Sequence, residues 1–304
     1  MIIYNRLVVT IIPNWNLKTD LGECLDSLSR ITYPTHRVIV VDNGSNDGSQ
    51  EFINNEYPWV ELIALPKNLG YAGALNVGIK KALEWGADYV LALNNDTVIS
   101  PGTIQRLVEV IESDKTIGII SPKILNFYNP RKIYSLGERM YDWLPLPFSF
   151  GRGWPDIPIF SRIWEFDYVT GCAMMIRTSL FQEVGLFDSS FFMYYEDADF
   201  CRRVREYGYR IICVGDVEVY HKVSKSAKKT ESFIHRIRSR NRIRFYRRYK
   251  HGPHPWLTIA TLIIMAFYRS VMYVLSGRVN LVVPYLSGLW EGWQESPATY
   301  RLER

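Results

Sequence analysis

The sequence predicts an α/β chain built on a mostly parallel sheet with helices on both faces. Over the first 125 residues, short apolar runs alternate with segments of helical spacing, the pattern of strands joined by helical crossovers. Polar and acidic clusters fall where those runs end, the edge at which such sheets bind ligands. The chain is 304 residues long, enough for one large domain or two small ones. Its 47% apolar and 22% charged residues exclude a disordered or collagen-like chain.

The elements follow in order. Leu7–Ile12 is an apolar run closed by Pro13, too short and too soon polar for a signal peptide, so it reads as a strand. Leu21–Ser29 has helical spacing. Val38–Val41 is a β-branched strand ended by the turn-rich DNGSNDGS, and Val60–Leu65 is another strand. Ala72–Trp85 is a long helix, and Tyr89–Leu93 a strand that stops at NND. Pro101 opens a helix to about Glu112, since proline suits a first turn. Gly118–Ile120 is a further strand.

Between Asn126 and Asp167 the pattern breaks into aromatic, Pro and Gly residues. That is too long for an ordinary connection, so it reads as a binding loop or as irregular cover over the sheet. Order returns with a strand at Val169–Ile176 and a helix at Ser179–Val184. A helix then starts at Glu196, acidic first and basic last, as the helix dipole prefers. Strands at Ile211–Val214 and Val217–Tyr220 lead to His221. No internal repeat is visible. The four cysteines are scattered without a CxxC pair, which argues against a zinc ribbon or disulfide scaffold and for a reducing compartment.

Charge is uneven. Between Lys222 and Lys250 stand twelve Lys and Arg against one acid, Glu231, so a chain of net +5 is −6 outside this block. Such a block calls for an anionic partner or a solvated face. No RRM-like, zinc-finger or helix-turn-helix signature accompanies it, so nucleic acid is not the expected partner. The uncharged run Trp256–Tyr268 follows, then Arg269, then more apolar residues to Gly277. Thirteen uncharged residues are too few to cross a bilayer. A buried helix, a helix lying on anionic lipid and a true span all remain open, with the interfacial helix preferred.

Two acidic groups carry candidate chemistry. Asp96 ends an apolar strand, where it can hold a metal or diphosphate or simply start a turn. Glu196, Asp197 and Asp199 crowd a helix start, and their mutual repulsion suits a raised pKa and a general base. His221, beside Asp96, would complete an oxygen-plus-imidazole site for Mn²⁺ or Mg²⁺. The fingerprints GxGxxG after the first strand, GxxxxGK[ST] and GxSxG are absent, which leaves nicotinamide, P-loop and serine-hydrolase chemistry unsupported.

An ordered series of segments resembles the inverting family 2 glycosyltransferases of the GT-A fold, in their rhamnosyltransferase-like branch. It comprises VVTIIPNWN, VIVVDNGSNDGS, NLGYAGALNVGI and LALNNDTVISPG, then VTGCAMMIRTSLFQEVGLFDSSFFMYYEDADFCRRVREYGYRI and VYHKVSKS. The GRG…D of residues 151–156 belongs to that branch. The resemblance covers roughly residues 5–250. It implies a GT-A domain over residues 1–228, with a nucleotide-sugar half (1–125) and an acceptor and catalytic half (126–228). A basic and apolar helical, membrane-associated extension would follow over residues 229–304.

Residue by residue, the resemblance places Pro13, Asn14 and Asn16 along the nucleotide and Asp42 on the base, with Asn43, Ser45 and Asp47 nearby. Asn68, Gly70, Tyr71 and Asn76 would line base and ribose. The family's metal-binding DxD falls on Asn94, Asn95 and Asp96, so only the last acid is kept; Asp96 and His221 would hold Mn²⁺ or Mg²⁺. Asp197 matches the catalytic base, with Glu196 as runner-up. Lys222, Ser224, Lys225 and Ser226 would close over the phosphates, and Trp154 and Asp199 would meet the acceptor.

The implied partners are a dTDP-, UDP- or GDP-sugar, a glycan or polyprenyl-linked acceptor, and an anionic membrane surface at the cytoplasmic face. The competing readings are a sugar-nucleotide pyrophosphorylase, which wants a Gly-rich basic loop where this chain has PNWNLKTD, and a non-catalytic membrane or polyanion-binding module.

Overall fold

A computed structural model describes residues 5–141, 144–223, 231–249 and 255–295. In chain order the elements are β1 (Val8–Asn14), α1 (Lys18–Leu28), β2 (His36–Asp42), α2 (Ser49–Glu56), β3 (Glu61–Ala64), α3 (Gly70–Glu84), β4 (Tyr89–Leu93), β5 (Thr97–Ile99), α4 (Thr103–Ser113) and β6 (Ile117–Asn126). They continue as β7 (Asn129–Ser135), β8 (Gly137–Tyr141), β9 (Leu144–Phe150), β10 (Ile163–Glu165), β11 (Ala173–Arg177), α5 (Leu180–Glu183), α6 (Glu196–Glu206) and β12 (Arg210–His221). Three helices close the chain: α7 (Glu231–Arg248), α8 (Pro255–Leu275) and α9 (Val282–Gln294).

The main sheet runs β10-β12-β6-β11-β4-β1-β2-β3. Along this path β3, β2, β1 and β4 are mutually parallel, as are β6 and β12, whereas β11 and β10 run the other way. The mostly parallel sheet expected from the sequence is therefore present. Strands buried on both faces read as continuous β-branched runs, as in VIVV of β2, rather than as alternation. One apolar layer packs β1, β2 and β4 on α1 and α4 (Val8, Leu21, Leu91, Leu107). The opposite layer packs them on α3 and α6 (Ile11, Leu75, Phe200). Pro13 is tolerated in central β1 because pairing with β4 has ended at Ile11, so no ladder donor is lost there.

Two expectations change. The 126–167 stretch is not an irregular loop: it holds β7 on the sheet edge, the β8–β9 hairpin and β10. Its aromatic residues hid the alternation because they fill a separate small core, where Phe150 packs near Trp154, Phe160, Trp164 and Phe166. The two short strands after Tyr209 are one strand, β12, interrupted by a bulge between Val214 and Glu218. Gly215 sits in the bulge because a Cβ there would lie 1.9 Å from the Phe160 carbonyl oxygen.

The C-terminal helices resolve the charge question differently from the sequence. Part of the basic block of α7 is paired with acids within the molecule. Arg236 pairs with Glu291 at 2.7 Å, Arg244 with Glu295 at 2.8 Å, and Arg248 with Asp188 at 2.7 Å. Helix α9 lies so close to α7 that a Cβ on Gly288 would meet the Arg236 carbonyl oxygen at 2.0 Å. Helix α8 is not a buried helix, since only 6% of its most apolar window is covered. Its Ile263, Ile264, Phe267 and Leu275, with Val283 and Trp290 of α9, face outward. Arg269, which breaks the apolar run in sequence, donates to Tyr273 Oη at 3.1 Å, and Tyr273 in turn bonds His235 of α7 at 2.7 Å. Its guanidinium is thus tied back toward α7.

Candidate active site

The site forms at the carboxyl ends of β1, β2, β4 and β12, where the antiparallel β11 begins. Two loops are tied together first. Asn14 donates to Asp42 Oδ1 at 3.0 Å, and Asn95 donates to Asn14 Oδ1 at 2.7 Å, which links the ends of β4, β1 and β2 in one chain of amides. Asp42 is fully buried and also accepts from Ser45 N at 3.0 Å and Gln50 Nε2 at 2.7 Å. Asn16, in the left-handed region at φ 52°, donates its N–H to Ser45 Oγ at 3.0 Å and accepts from Asn46 N at 2.8 Å. Asp47 accepts from Lys18 N at 2.9 Å and from Ser49. Burial works against its charge, but those hydrogen bonds outweigh it and keep its pKa low.

The segment before α3 is held by side chains the sequence placed along the nucleotide. Asn43 donates to Asn68 Oδ1 and to the Gly70 carbonyl, both at 3.0 Å, and accepts from Leu69 N at 2.7 Å. Gly70 has φ +77°, and a Cβ there would lie 2.3 Å from the Phe192 carbonyl oxygen, so the position is confined to glycine twice over. Asn76 is turned inward: its amide donates to Phe187 O at 2.8 Å and accepts from Phe187 N at 3.0 Å. Tyr71 donates to Gly171 O at 2.6 Å, and burial pushes its phenol well above the ordinary range.

Asp96 and His221 meet although 125 residues separate them. Strand β5 pairs antiparallel with the end of β12, Thr97 opposite His221, which sets Asp96 Oδ1 3.1 Å from His221 Nε2. Both are buried, and His221 Nδ1 is buried without a hydrogen-bond partner. Tyr134 packs edge-on against the ring at 4.8 Å. Burial opposes charge on the imidazole, but Cys172 and the Asp96 carboxylate outweigh it and favour the protonated ring. Asn94 lies beside them, its N–H donating to Cys172 O at 2.9 Å. No group of three or more His, Cys, Asp or Glu placed to hold a metal ion is found among the described residues.

The second acidic centre is one residue further along that turn. Gly171 N donates to Asp197 Oδ2 at 3.0 Å, and Ala198 N donates to Oδ1 at 2.8 Å. The turn before β11 therefore spans from the Asp96 end of β4 to Asp197. Burial raises Asp197 despite these hydrogen bonds. It raises neighbouring Glu196 further, with the Asp197 charge adding to it, and Glu196 Oε2 is buried without a partner. Sequence reasoning missed Glu138 of β8. Burial raises its pKa to about 7, with Asp197 among the charges that act on it. No motif marked it, because it enters from the hairpin hidden in the 126–167 stretch.

Other predicted positions lie elsewhere. Asp199 is fully buried and spent on Arg203 at 3.0 Å, Arg248 at 2.6 Å and Tyr249 at 2.8 Å, so it does not meet an acceptor. Lys222 is buried against Asp20 at 2.7 Å and Glu23 at 2.8 Å rather than free to close over phosphate. Trp154 is half-exposed at the edge of the Phe150 cluster. Ser224, Lys225 and Ser226 lie outside the described residues.

A mostly parallel, helix-flanked sheet with Asp96 paired to His221 at its carboxyl edge is the arrangement expected of a glycosyltransferase of the GT-A type. The chain belongs to glycosyl transferase family 2, whose family model matches residues 9–185, more than half its length. It is 29% identical over 218 residues to an N-acetylglucosaminyl-diphospho-decaprenol L-rhamnosyltransferase of Mycobacterium tuberculosis, covering 66% of this chain and 71% of that protein. It is 32% identical over 197 residues to a low-salt glycan biosynthesis hexosyltransferase of Haloferax volcanii, covering 64% and 60%. Among solved structures it is similar to a mannosyltransferase from Pyrobaculum calidifontis in complex with GDP-Man and Mn²⁺. The TM-score there is 0.61 at 17% identity, over 96% of this chain and 88% of that one. At that identity the likeness speaks for the fold alone.

Proposed function

We propose that this enzyme is a metal-dependent inverting glycosyltransferase. It moves a sugar from a nucleotide diphosphate donor, with dTDP-L-rhamnose the first to test, to a hydroxyl of a glycan or polyprenyl-linked glycan at the cytoplasmic face of a membrane. The observation that carries this reading is the placement of Asp197 one turn from the Asp96–His221 pair. A base and an anion-handling centre tied to the same turn are what displacement at an anomeric carbon needs. The rhamnosyltransferase relative and the Mn²⁺-bound neighbour support the donor and ion classes.

The donor set fits a divalent ion. One carboxylate and one imidazole suit Mn²⁺ or Mg²⁺, and the ion would replace the proton shared between Asp96 and His221. Two protein ligands leave coordination positions for diphosphate oxygens. The ion would supply neutralisation of charge on the leaving diphosphate. The chain's own residues do the rest. The Asn95–Asn14–Asp42 chain and the Asn43–Asn68 clasp hold the loops that cradle the nucleotide. Asp197 takes the proton of the attacking acceptor hydroxyl on the face opposite the leaving diphosphate, and burial raises its basicity. A panel of dTDP, UDP and GDP with and without Mn²⁺ tests the reading by thermal shift, since ligands that bind only the native state stabilise by mass action. Metal-dependent stabilisation by one nucleotide is expected, and Asp96→Ala is expected to abolish the metal dependence. Equal shifts in that variant and the parent would remove Asp96 from the metal site.

The outward apolar faces of α8 and α9 support the membrane placement, with the helices lying in the interface rather than crossing it. Full-length protein is expected to float with phosphatidylglycerol-containing liposomes. Protein left in the dense fraction would rule this out.

A further inference from the structure

The turn that delivers the proposed base is strained. Phe192, Tyr194 and Tyr195 have φ of 65°, 67° and 74°, three non-glycine residues in the left-handed region directly before Glu196 and Asp197. Such conformations persist only where the surroundings hold them, and they gather at functional sites. Here the holder is α7. Asn241, fully buried, donates its side-chain amide to the carbonyl oxygens of Phe191, Met193 and Tyr194 at 2.7, 2.8 and 2.9 Å. Arg244 donates to Ser190 O at 2.7 Å, and Arg242 to the Tyr195 hydroxyl at 3.1 Å. Asn241 Oδ1 is itself held by Arg240 Nε at 3.0 Å, so the amide cannot turn over without losing both sets of bonds.

We propose that Asn241 is a positioning residue for Asp197: from α7 it fixes the 191–195 turn and thereby aims the carboxylate. The proposal rests on Asp197 being the base. It gives the C-terminal region a role in the chemistry besides any contact with lipid. The geometry explains why one amide suffices. Three carbonyls beside left-handed residues converge on one nitrogen, whose two N–H groups serve them with one hydrogen shared between two oxygens. Misplacing a reacting group by an ångström is enough to cost on the order of a hundredfold in rate.

The test uses the full chain with a sugar nucleotide and vesicles carrying polyprenyl-diphosphate-linked GlcNAc. Asn241→Leu removes both donors at similar volume, and Asn241→Ser keeps one. For Asn241→Leu the expectation is a fall in kcat of about tenfold or more, with donor KM and the Mn²⁺-dependent nucleotide shift within about twofold of the parent. Asn241→Ser should fall between the two. Parental kcat in folded Asn241→Leu overturns the proposal, as does a parallel loss of donor binding and thermal midpoint, which marks a role in folding only. If Asn241→Leu does not fold, Asn241→Ser decides: reduced kcat at unchanged donor KM supports the proposal, and parental kcat overturns it. Asp197→Asn is the control. Its full activity would defeat the base assignment itself, whereas an inactive Asp197→Asn beside a fully active Asn241→Leu defeats only the role of Asn241.

Discussion

Asp197→Asn is expected to fold, to keep metal-dependent nucleotide binding and to lose at least about a hundredfold in turnover, the lower end of what a positioned general base supplies. The amide oxygen still accepts one of the Gly171 and Ala198 N–H groups, but the NH2 in place of the other oxygen cannot, so the turn before β11 keeps one of its two anchors. What it loses is the basic lone pair. The pH dependence sharpens the prediction. Burial raises Asp197 above its ordinary value, and the base works only when ionised, so turnover in the parent climbs with pH through a value higher than that of an unperturbed aspartate.

Stability runs the opposite way. A carboxyl whose pKa is higher folded than unfolded binds more protons in the native state across that window. Its stabilising contribution is full below the unfolded pKa and is lost as pH rises through the folded one. At neutral pH the charge in Asp197 is therefore a cost, and in Asp197→Asn its removal offsets the lost N–H acceptor, so a melting temperature close to that of the parent is expected. Steady-state rates across pH and thermal melts of the same two proteins check both halves. Turnover within a few-fold of the parent would take the base role from Asp197, and Glu196→Gln would then be the variant to measure.

Asp199→Ala is expected to be the most destabilising single change near the site, by about 3–5 kcal/mol, the usual result of removing one partner from a buried charge cluster. Asp199 is fully buried and its two oxygens meet Arg203 at 3.0 Å, Arg248 at 2.6 Å and Tyr249 at 2.8 Å. Truncation leaves two guanidinium groups without their shared counter-charge. Arg248 keeps Asp188 at 2.7 Å, whose own pKa is held low because hydrogen bonds from Ser190 and Arg248 outweigh its burial. Arg203 keeps the carbonyls of Val184 and Leu186 and the face of the Phe200 ring, none of which carries a counter-charge. The cluster also joins α6 to α7, so its loss loosens the C-terminal helices from the catalytic half. Chemical denaturation of Asp199→Ala against the parent measures this. A midpoint matching the parent would mean that water or relaxation already compensates the two arginines.

Much of the molecule was legible along the chain. Apolar runs buried on both faces, broken by Pro13, by DNGSNDGS and by NND, marked β1, β2 and β4 and the edge at which the site forms. Proline and glycine at turns, acids at the start of α6 and basic residues at its end are local preferences that need no tertiary partner. The family series carried Asp96, Asp197 and His221 because those residue types stand at fixed offsets from recognisable strands. The 126–167 stretch was not legible: its strands are short, edge-placed and filled by aromatics that pack on one another rather than alternate.

By itself, then, the sequence determined the class of fold, the family and the edge of the sheet where the candidate site forms, since each is written in local periodicity and short motifs. Only the tertiary structure decided which polar residues serve the site and which serve the scaffold. Asn76, Asp199 and Lys222 are chemically fit for binding, yet each is spent on a partner more than forty residues away in sequence. The same is true of charge. The basic block of α7 looked like an appeal to an outside anion, but folding brings Asp188, Asp199, Glu291 and Glu295 to it. A buried or half-buried charge is satisfied by whatever group the packing delivers to within hydrogen-bonding distance. That distance depends on how strands and helices cross, which no local pattern in the chain records.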